Sequence, residues 1–206
     1  PSALLTTLQD LGINTLTEPA SHYGLGLTLG SGEVTLLETC NAFTTISQLG
    51  KHQPYKLFSN THQPKLKQVF SAESAYFAAS IMADNQARHA GFGRTSQLRL
   101  PFPCAVKTGT SSDFRDNWCI GFTADYTVAV WVGNLNNQPM KGISGVTGAG
   151  PIFKEIMLHL HRDSPPRWLK LPASLAKVRV DPHSGKLFTA DHPSIHQSVN
   201  TFALRN

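Results

Sequence analysis

No run of apolar side chains in this chain approaches the roughly 18 residues that a bilayer-spanning helix needs, which excludes a transmembrane helix within it. Charge is sparse. Asp, Glu, Lys and Arg make up 15% of the 206 residues against 40% apolar, a globular balance that excludes a disordered chain. Carboxylates are scarcer than cations, 13 against 18, leaving a net charge of +5 that favours anionic partners. The cations form no block, however. Their densest cluster, Lys65-Leu66-Lys67, reads as a solvated face, so no specific nucleic acid is expected as a partner. Only three cysteines occur, Cys40, Cys104 and Cys119, and three cannot all pair within one chain. Each reads as a small buried apolar residue. A hairpin joining Thr110 to Asn117 would leave Cys104 and Cys119 out of register, so a disulfide is not favoured.

The length suits one sizeable domain plus a small appendage. Leu4, Leu5, Leu8 and Leu11 predict a helix over residues 2–11, ended by Gly12. A loop is expected as far as Ser31. Ser31 is placed to cap a helix with Glu33 near its start and Val34, Leu37, Cys40, Phe43 and Ile46 on one stripe. Residues 51–70 read as irregular apart from a short strand near 55–58. Ser71 is expected to cap one long helix through Tyr76, Ala79 and Ala83 to about Arg88. Strands follow at 104–110, 117–124 and 126–133, and their connections are too short for parallel crossovers. Pro151 suits the first turn of a helix that turns Ile152, Phe153, Ile156, Met157 and Leu160 toward the sheet. Ser164-Pro165-Pro166 marks a boundary, beyond which a short strand at 178–180 and a turn at 181–185 are expected. The fold class is α/β (α+β), an antiparallel sheet with covering helices.

One stretch is far more informative than the rest. A strand runs into Lys107-Thr108-Gly109-Thr110-Ser111, followed by Phe114-Arg115-Asp116-Asn117-Trp118 and Ile120-Gly121-Phe122-Thr123. Lys-Thr-Gly is one of three motifs of penicillin-recognising serine acyl-enzymes, beside Ser-x-x-Lys and a Ser-x-Asn element. With these flanks the segment resembles the transpeptidase domain of class A (bifunctional) penicillin-binding proteins. The Phe-Arg-Asp-Asn-Trp wording is most similar to the C-type paralogues. In the same order, the segments 23–35, 126–134 and Thr147-Gly148-Ala149-Gly150-Pro151-Ile152-Phe153-Lys154 also resemble that family. The likeness covers residues 1–162, and residues 163–206 read as a C-terminal extension.

The resemblance implies a penicillin-binding protein/serine β-lactamase-like transpeptidase fold, incomplete at its N-terminus. It implies a peptidoglycan D,D-transpeptidase on the periplasmic face of the bacterial inner membrane, acting on stem peptides and inhibited by β-lactams. In the full-length protein a glycosyltransferase region would precede it. Lys107 would be a catalytic cation, and Thr110 would supply an oxyanion-hole N–H. Thr108, Gly109, Thr110 and Ser111 would bind substrate, the hydroxyls donating to its terminal carboxylate. Period-two alternation puts Lys107 and Gly109 on one face and both threonines on the other. All can serve one cleft only on an edge strand whose lysine reaches around the rim.

The family's nucleophilic Ser-x-x-Lys and its Ser-x-Asn element have no counterpart before Lys107. The expectation is a piece of a longer polypeptide, inactive alone, with the remainder of the same protein as partner. Ser174-Leu175-Ala176-Lys177 and Ser198-Val199-Asn200 match the patterns literally but in reversed order, and are rejected. The alternative function is a non-catalytic binding or assembly module that keeps the fold. A missing neighbour strand would expose an edge at Val128, Val130 and Val132, favouring a homo-oligomer. Arg115 and Asp116 either position substrate or pair with each other, the second being favoured. Trp118 and Trp131 read as core. His159 and His161, or Asp191 and His192 with His196, lack the spacing of a metal site; no metal or cofactor is expected.

Overall fold

The computed structural model describes residues 1–58, 65–93, 96–181, 184–187 and 199–205, without the side chains of residues 90, 199 and 200. They fall into two compact units, Pro1–Leu169 and Lys170–Asn206.

The first unit is built on three antiparallel strands, β3 (Ala105–Thr110), β4 (Asp116–Phe122) and β5 (Thr127–Gly133), in the order β3-β4-β5. The four-residue β4–β5 connection explains their adjacency. Thr123 N–H donates to the Tyr126 carbonyl at 3.0 Å, and the Thr123 hydroxyl accepts from the N–H groups of Asp125 and Tyr126. One sheet face is covered by α6 (Ala149–Leu160), with Pro151 in its first turn as expected. Phe153 and Met157 are fully buried against Val106, Cys119, Val128 and Val130. The stripe is narrower than expected: Ile152 and Ile156 face outward, because the sheet meets only one side of the helix. A Cβ on Gly121 would lie 2.6 Å from the Phe153 ring, so this glycine lets the helix seat.

The opposite face carries α3 (Leu36–Ser47) and α4 (Ala72–Ala83). Their starts and ends correct the sequence reading. Thr35, not Ser31, caps α3 in a capping box: its hydroxyl accepts from Glu38 N–H, and Glu38 accepts from Thr35 N–H. The expected stripe is only half-buried, with Leu37 exposed; Ala42 and Thr45 are the buried positions. The loop before it contains α2 (Ala20–Tyr23) and a 3-10 turn, Gly24–Leu29. Leu27 of that turn joins Leu5, Leu11, Ile13, Leu16 and Ala42 in a second core cluster, under α1 (Ser2–Asp10). Residues 55–58 form no strand. The strands of that region are instead β1 (Lys51–His52) and β2 (Lys67–Gln68), paired with each other. The long helix from Ser71 breaks after Ala83. Asp84 leaves helical geometry and recaps α5 (Asn85–Phe92), its carboxylate accepting from the N–H groups of Gln86 and Ala87.

Glu38 yields a pH-dependent consequence. Burial, the largest single influence, pushes its pKa up, but hydrogen bonds from the Thr15 hydroxyl, the Asn14 N–H and Thr35 together outweigh it and hold it below the ordinary 4.5. A carboxylate depressed on folding stabilises the fold above its unfolded pKa and loses that contribution as pH falls through the folded value. Glu38→Gln is therefore expected to lower the urea midpoint at neutral pH. The gap to the parent should close in acid, below the folded pKa; a gap independent of pH would contradict this account.

The second unit contains the antiparallel pair β6 (Leu175–Val180) and β7 (Val199–Leu204). β6 is longer than the strand expected at 178–180. Gly185 N–H donates to the Asp181 carbonyl at 2.9 Å, closing the expected turn. Ser174 and Lys177 therefore flank an extended segment. Ser174 lies in the turn before β6 and Lys177 within the strand, so the pair does not share the helical face that would bring its side chains together. Ser198 of the other rejected motif lies outside the described residues.

Candidate active site

The backbone polarity of β3 follows from one hydrogen bond. Ser111 N–H donates to the Asp116 carbonyl at 2.9 Å, and the register pairs Gly109 with Trp118 and Lys107 with Ile120. Antiparallel pairing alternates. Lys107, Gly109 and Ser111 thus turn their N–H and C=O groups toward β4, while Thr108 and Thr110 point theirs away from the sheet. Since β3 is an edge strand, those outward groups meet no further strand among the described residues.

Side chains complete the rim. Lys107 is exposed, and its Nζ donates to the outward Thr108 carbonyl at 2.5 Å. The ammonium therefore lies over the strand edge although its Cα faces the side opposite the threonines. Thr108 and Thr110 share the face on which the loop 143–148 packs; the Thr110 hydroxyl accepts from Gly145 N–H at 3.0 Å. Gly109 leaves the other face low beside Trp118, whose Cβ would be 3.5 Å from an added methyl. A cation, two hydroxyls and two outward N–H groups thus converge on one edge, an arrangement suited to an extended peptide ending in a carboxylate.

Neighbouring polar groups are committed elsewhere. The Ser111 hydroxyl donates to the Asp116 carboxylate at 2.9 Å and accepts from Asp116 N–H at 2.8 Å, so it closes the turn. Asp116 also accepts from the Trp131 indole N–H at 2.9 Å. Arg115 donates to the Asn137 carbonyl and lies 3.6 Å from Asp113; it does not pair with Asp116 as expected, because the turn aims the two side chains apart. Trp118 and Trp131 face each other across β4 and β5 and are half-buried rather than core. Asn117, opposite Thr110, is fully buried; its amide N–H approaches the Met140 sulfur, and its oxygen has no partner among the described residues.

Other reactive groups stay apart from this edge. Burial pushes the Cys104 and Cys119 thiols up to about 12, leaving no thiolate at neutral pH. Cys119 stands opposite Thr108 in register, with both cysteines free. His161 is buried within 3.1 Å of the Thr123 hydroxyl, whereas His159 lies beside Arg162; they do not converge. No group of three potential metal ligands forms among the described residues. Asp191, His192 and His196 lie outside them. A depression of about 460 Å³ between α3 and residues 53–56 is lined by none of residues 107–111.

Gly145 was not singled out from the sequence. The density of glycines around Thr147 was the available signal, and nothing in it revealed which strand the loop would touch.

Residues 9–158 match the family described as penicillin binding protein transpeptidase domain. Penicillin-binding protein 1A of Clostridium botulinum is 28% identical over 202 residues, covering 87% of this chain and 24% of that protein. Penicillin-binding protein 1C of Escherichia coli is 29% identical over 157 residues, covering 76% of this chain and 20% of that protein. In fold, the chain is similar to the crystal structure of penicillin-binding protein 1A from Haemophilus influenzae. The TM-score is 0.66 at 20% identity, over 94% of this chain and 35% of that one. The chain spans about a quarter of the length of the curated relatives it matches.

Proposed function

The chain belongs to the penicillin-binding protein transpeptidase domain family, with class A members among its relatives, and from this we propose that it supplies one wall of a peptidoglycan D,D-transpeptidase cleft. The observation that carries the reading is the β3 edge, where Lys107 reaches over the rim while the Thr108 and Thr110 backbone groups face outward. The nucleophilic serine and the Ser-x-Asn element belong to the remainder of the same protein. Residues 1–162 are the C-terminal portion of the domain, and residues 163–206 are an extension to it.

A serine oxygen attacks the carbonyl between the two terminal D-alanines of a stem peptide. The C–N bond breaks, D-alanine leaves with a proton on its amine, and an ester to the serine remains. An amine of a neighbouring stem then attacks that ester, forming the cross-linking amide and returning a proton to the serine. Thr110 N–H is one donor to the oxyanion of each tetrahedral intermediate. The Thr108 and Thr110 hydroxyls hold the terminal carboxylate, and Lys107 stabilises both that anion and the deprotonated nucleophile. Ser111 holds the turn with Asp116 and shapes the cleft without touching the substrate. A β-lactam enters by the same contacts and leaves a stable acyl-enzyme. The Phe114–Trp118 wording supports a C-type member, acting at the periplasmic face of the inner membrane.

Fluorescent penicillin tests the reading. The intact protein is expected to take a covalent label on its upstream serine, and the 206-residue chain alone to take none. A non-catalytic assembly module that retains the fold forecasts no label in either. An adduct on Ser174 would overturn the assignment of the nucleophile.

A further inference from the structure

We propose that Gly145 is a positioning residue for this cleft: its N–H holds the Thr110 hydroxyl so that the hydroxyl hydrogen is turned toward the carboxylate of an incoming peptide or β-lactam. The inference rests on the function proposed above and deepens it by naming what orients one of the carboxylate donors.

A threonine hydroxyl has one hydrogen and two lone pairs. Left alone it tends to donate to a nearby backbone carbonyl, which would spend the hydrogen internally. Here Gly145 N–H occupies a lone pair of the Thr110 oxygen at 3.0 Å, from 35 residues away. The hydrogen must then lie along one of the remaining directions. Thr110 itself is exposed at the end of β3, so those directions include the open edge.

Only glycine allows the approach. A Cβ at position 145 would stand 2.6 Å from the Gly109 carbonyl oxygen, 2.6 Å from that of Trp118 and 3.3 Å from the Thr108 Cβ. Two of these contacts are with backbone atoms of a sheet that cannot yield. The requirement is one of space.

The loop is stiff enough to aim the N–H. Ser144 N–H donates to the Thr147 hydroxyl at 3.0 Å, and the Ser144 carbonyl accepts from the N–H groups of Thr147 and Gly148 at 3.0 and 2.7 Å. The Gly145 carbonyl accepts from Gly150 N–H at 2.8 Å, tying the loop to the first turn of α6. Met140 N–H donates to the Phe114 carbonyl at 3.2 Å, anchoring the preceding segment to the β3–β4 turn. Gly145 thus joins the covering helix to the substrate edge.

The test compares acylation rates of the intact protein with a penicillin carboxylate and with its methyl ester. Gly145→Ala is expected to lower the carboxylate-to-ester rate ratio about tenfold, the size of a lost hydrogen bond to a charged group. Thr110→Val should produce a similar fall, and Thr110→Ser should recover most of the ratio. The Gly145→Ala, Thr110→Val double variant should fall no further than either alone. A uniform loss with both substrates, leaving the ratio intact, would show that the loop merely supports the fold and would overturn the proposal. Multiplying losses in the double variant would overturn it too. A parent protein that takes no penicillin at all refutes the transpeptidase reading itself, an outcome separate from either of these.

Discussion

Lys107→Ala in the intact protein is expected to slow acylation by fluorescent penicillin on the order of 10²–10³-fold, comparable with removing an oxyanion-hole donor. The ammonium lies over the β3 rim, on the Thr108 carbonyl, the place at which the proposed cleft calls for a cation. Arg115, beyond the β3–β4 turn, cannot replace it, since it is held by the Asn137 carbonyl and Asp113. Lys107→Arg should recover only part of the rate, because a planar fork replaces a compact point charge on a crowded edge. Stability should scarcely move, by within about 0.5 kcal/mol for an exposed side chain outside the core. A rate loss with an unchanged urea midpoint therefore separates chemistry from folding. Labelling of Lys107→Ala at the parental rate would remove the lysine from the mechanism.

Much of the sheet was readable, because apolar alternation and short connections leave three strands no arrangement but antiparallel neighbours. The conflict over Lys107 and the two threonines was also visible, as was the condition that resolves it: β3 is an edge strand among the described residues, and its lysine reaches over the rim. Side-chain alternation says which face a residue takes. Which neighbours its N–H addresses depends on pairing parity, here set by the Ser111–Asp116 bond. In the same turn the Ser111 hydroxyl donates to the Asp116 carboxylate and accepts from Asp116 N–H, commitments that its place beside Lys-Thr-Gly-Thr did not reveal. Helix boundaries failed where two residues competed for one role. Ser31 and Thr35 both suit a cap, and Glu38 decided for Thr35 by completing the box. The apolar spacing through Ala83 ran on past Asp84, whose side chain takes up the start of α5. The α6 stripe was drawn too wide because hydrophobicity alone does not record how much of a helix a three-stranded sheet can cover.

The far edge of the sheet gives the other large effect. Val128 and Val130, expected on an open edge, are instead buried beneath α6. Parity carries across the sheet: Asn117, Cys119 and Gly121 address β5, so Val128, Val130 and Val132 spend their backbone groups on β4. The outward groups belong to Thr127, Ala129 and Trp131. The Thr127 carbonyl is approached by the Cys40 thiol at 3.9 Å, and no strand pairs with Ala129 or Trp131 among the described residues. Such an edge recruits another strand. The isolated 206-residue chain is expected to self-associate as its concentration rises. Ala129→Pro should return it to a monomer, because proline removes an outward N–H that the β4 ladder does not use. Val130→Pro should instead unfold the sheet, since its N–H pairs with Cys119. Sedimentation velocity reads the first pair of outcomes and circular dichroism the third. A parent chain that stays monomeric at high concentration would show that the edge is closed to a partner strand.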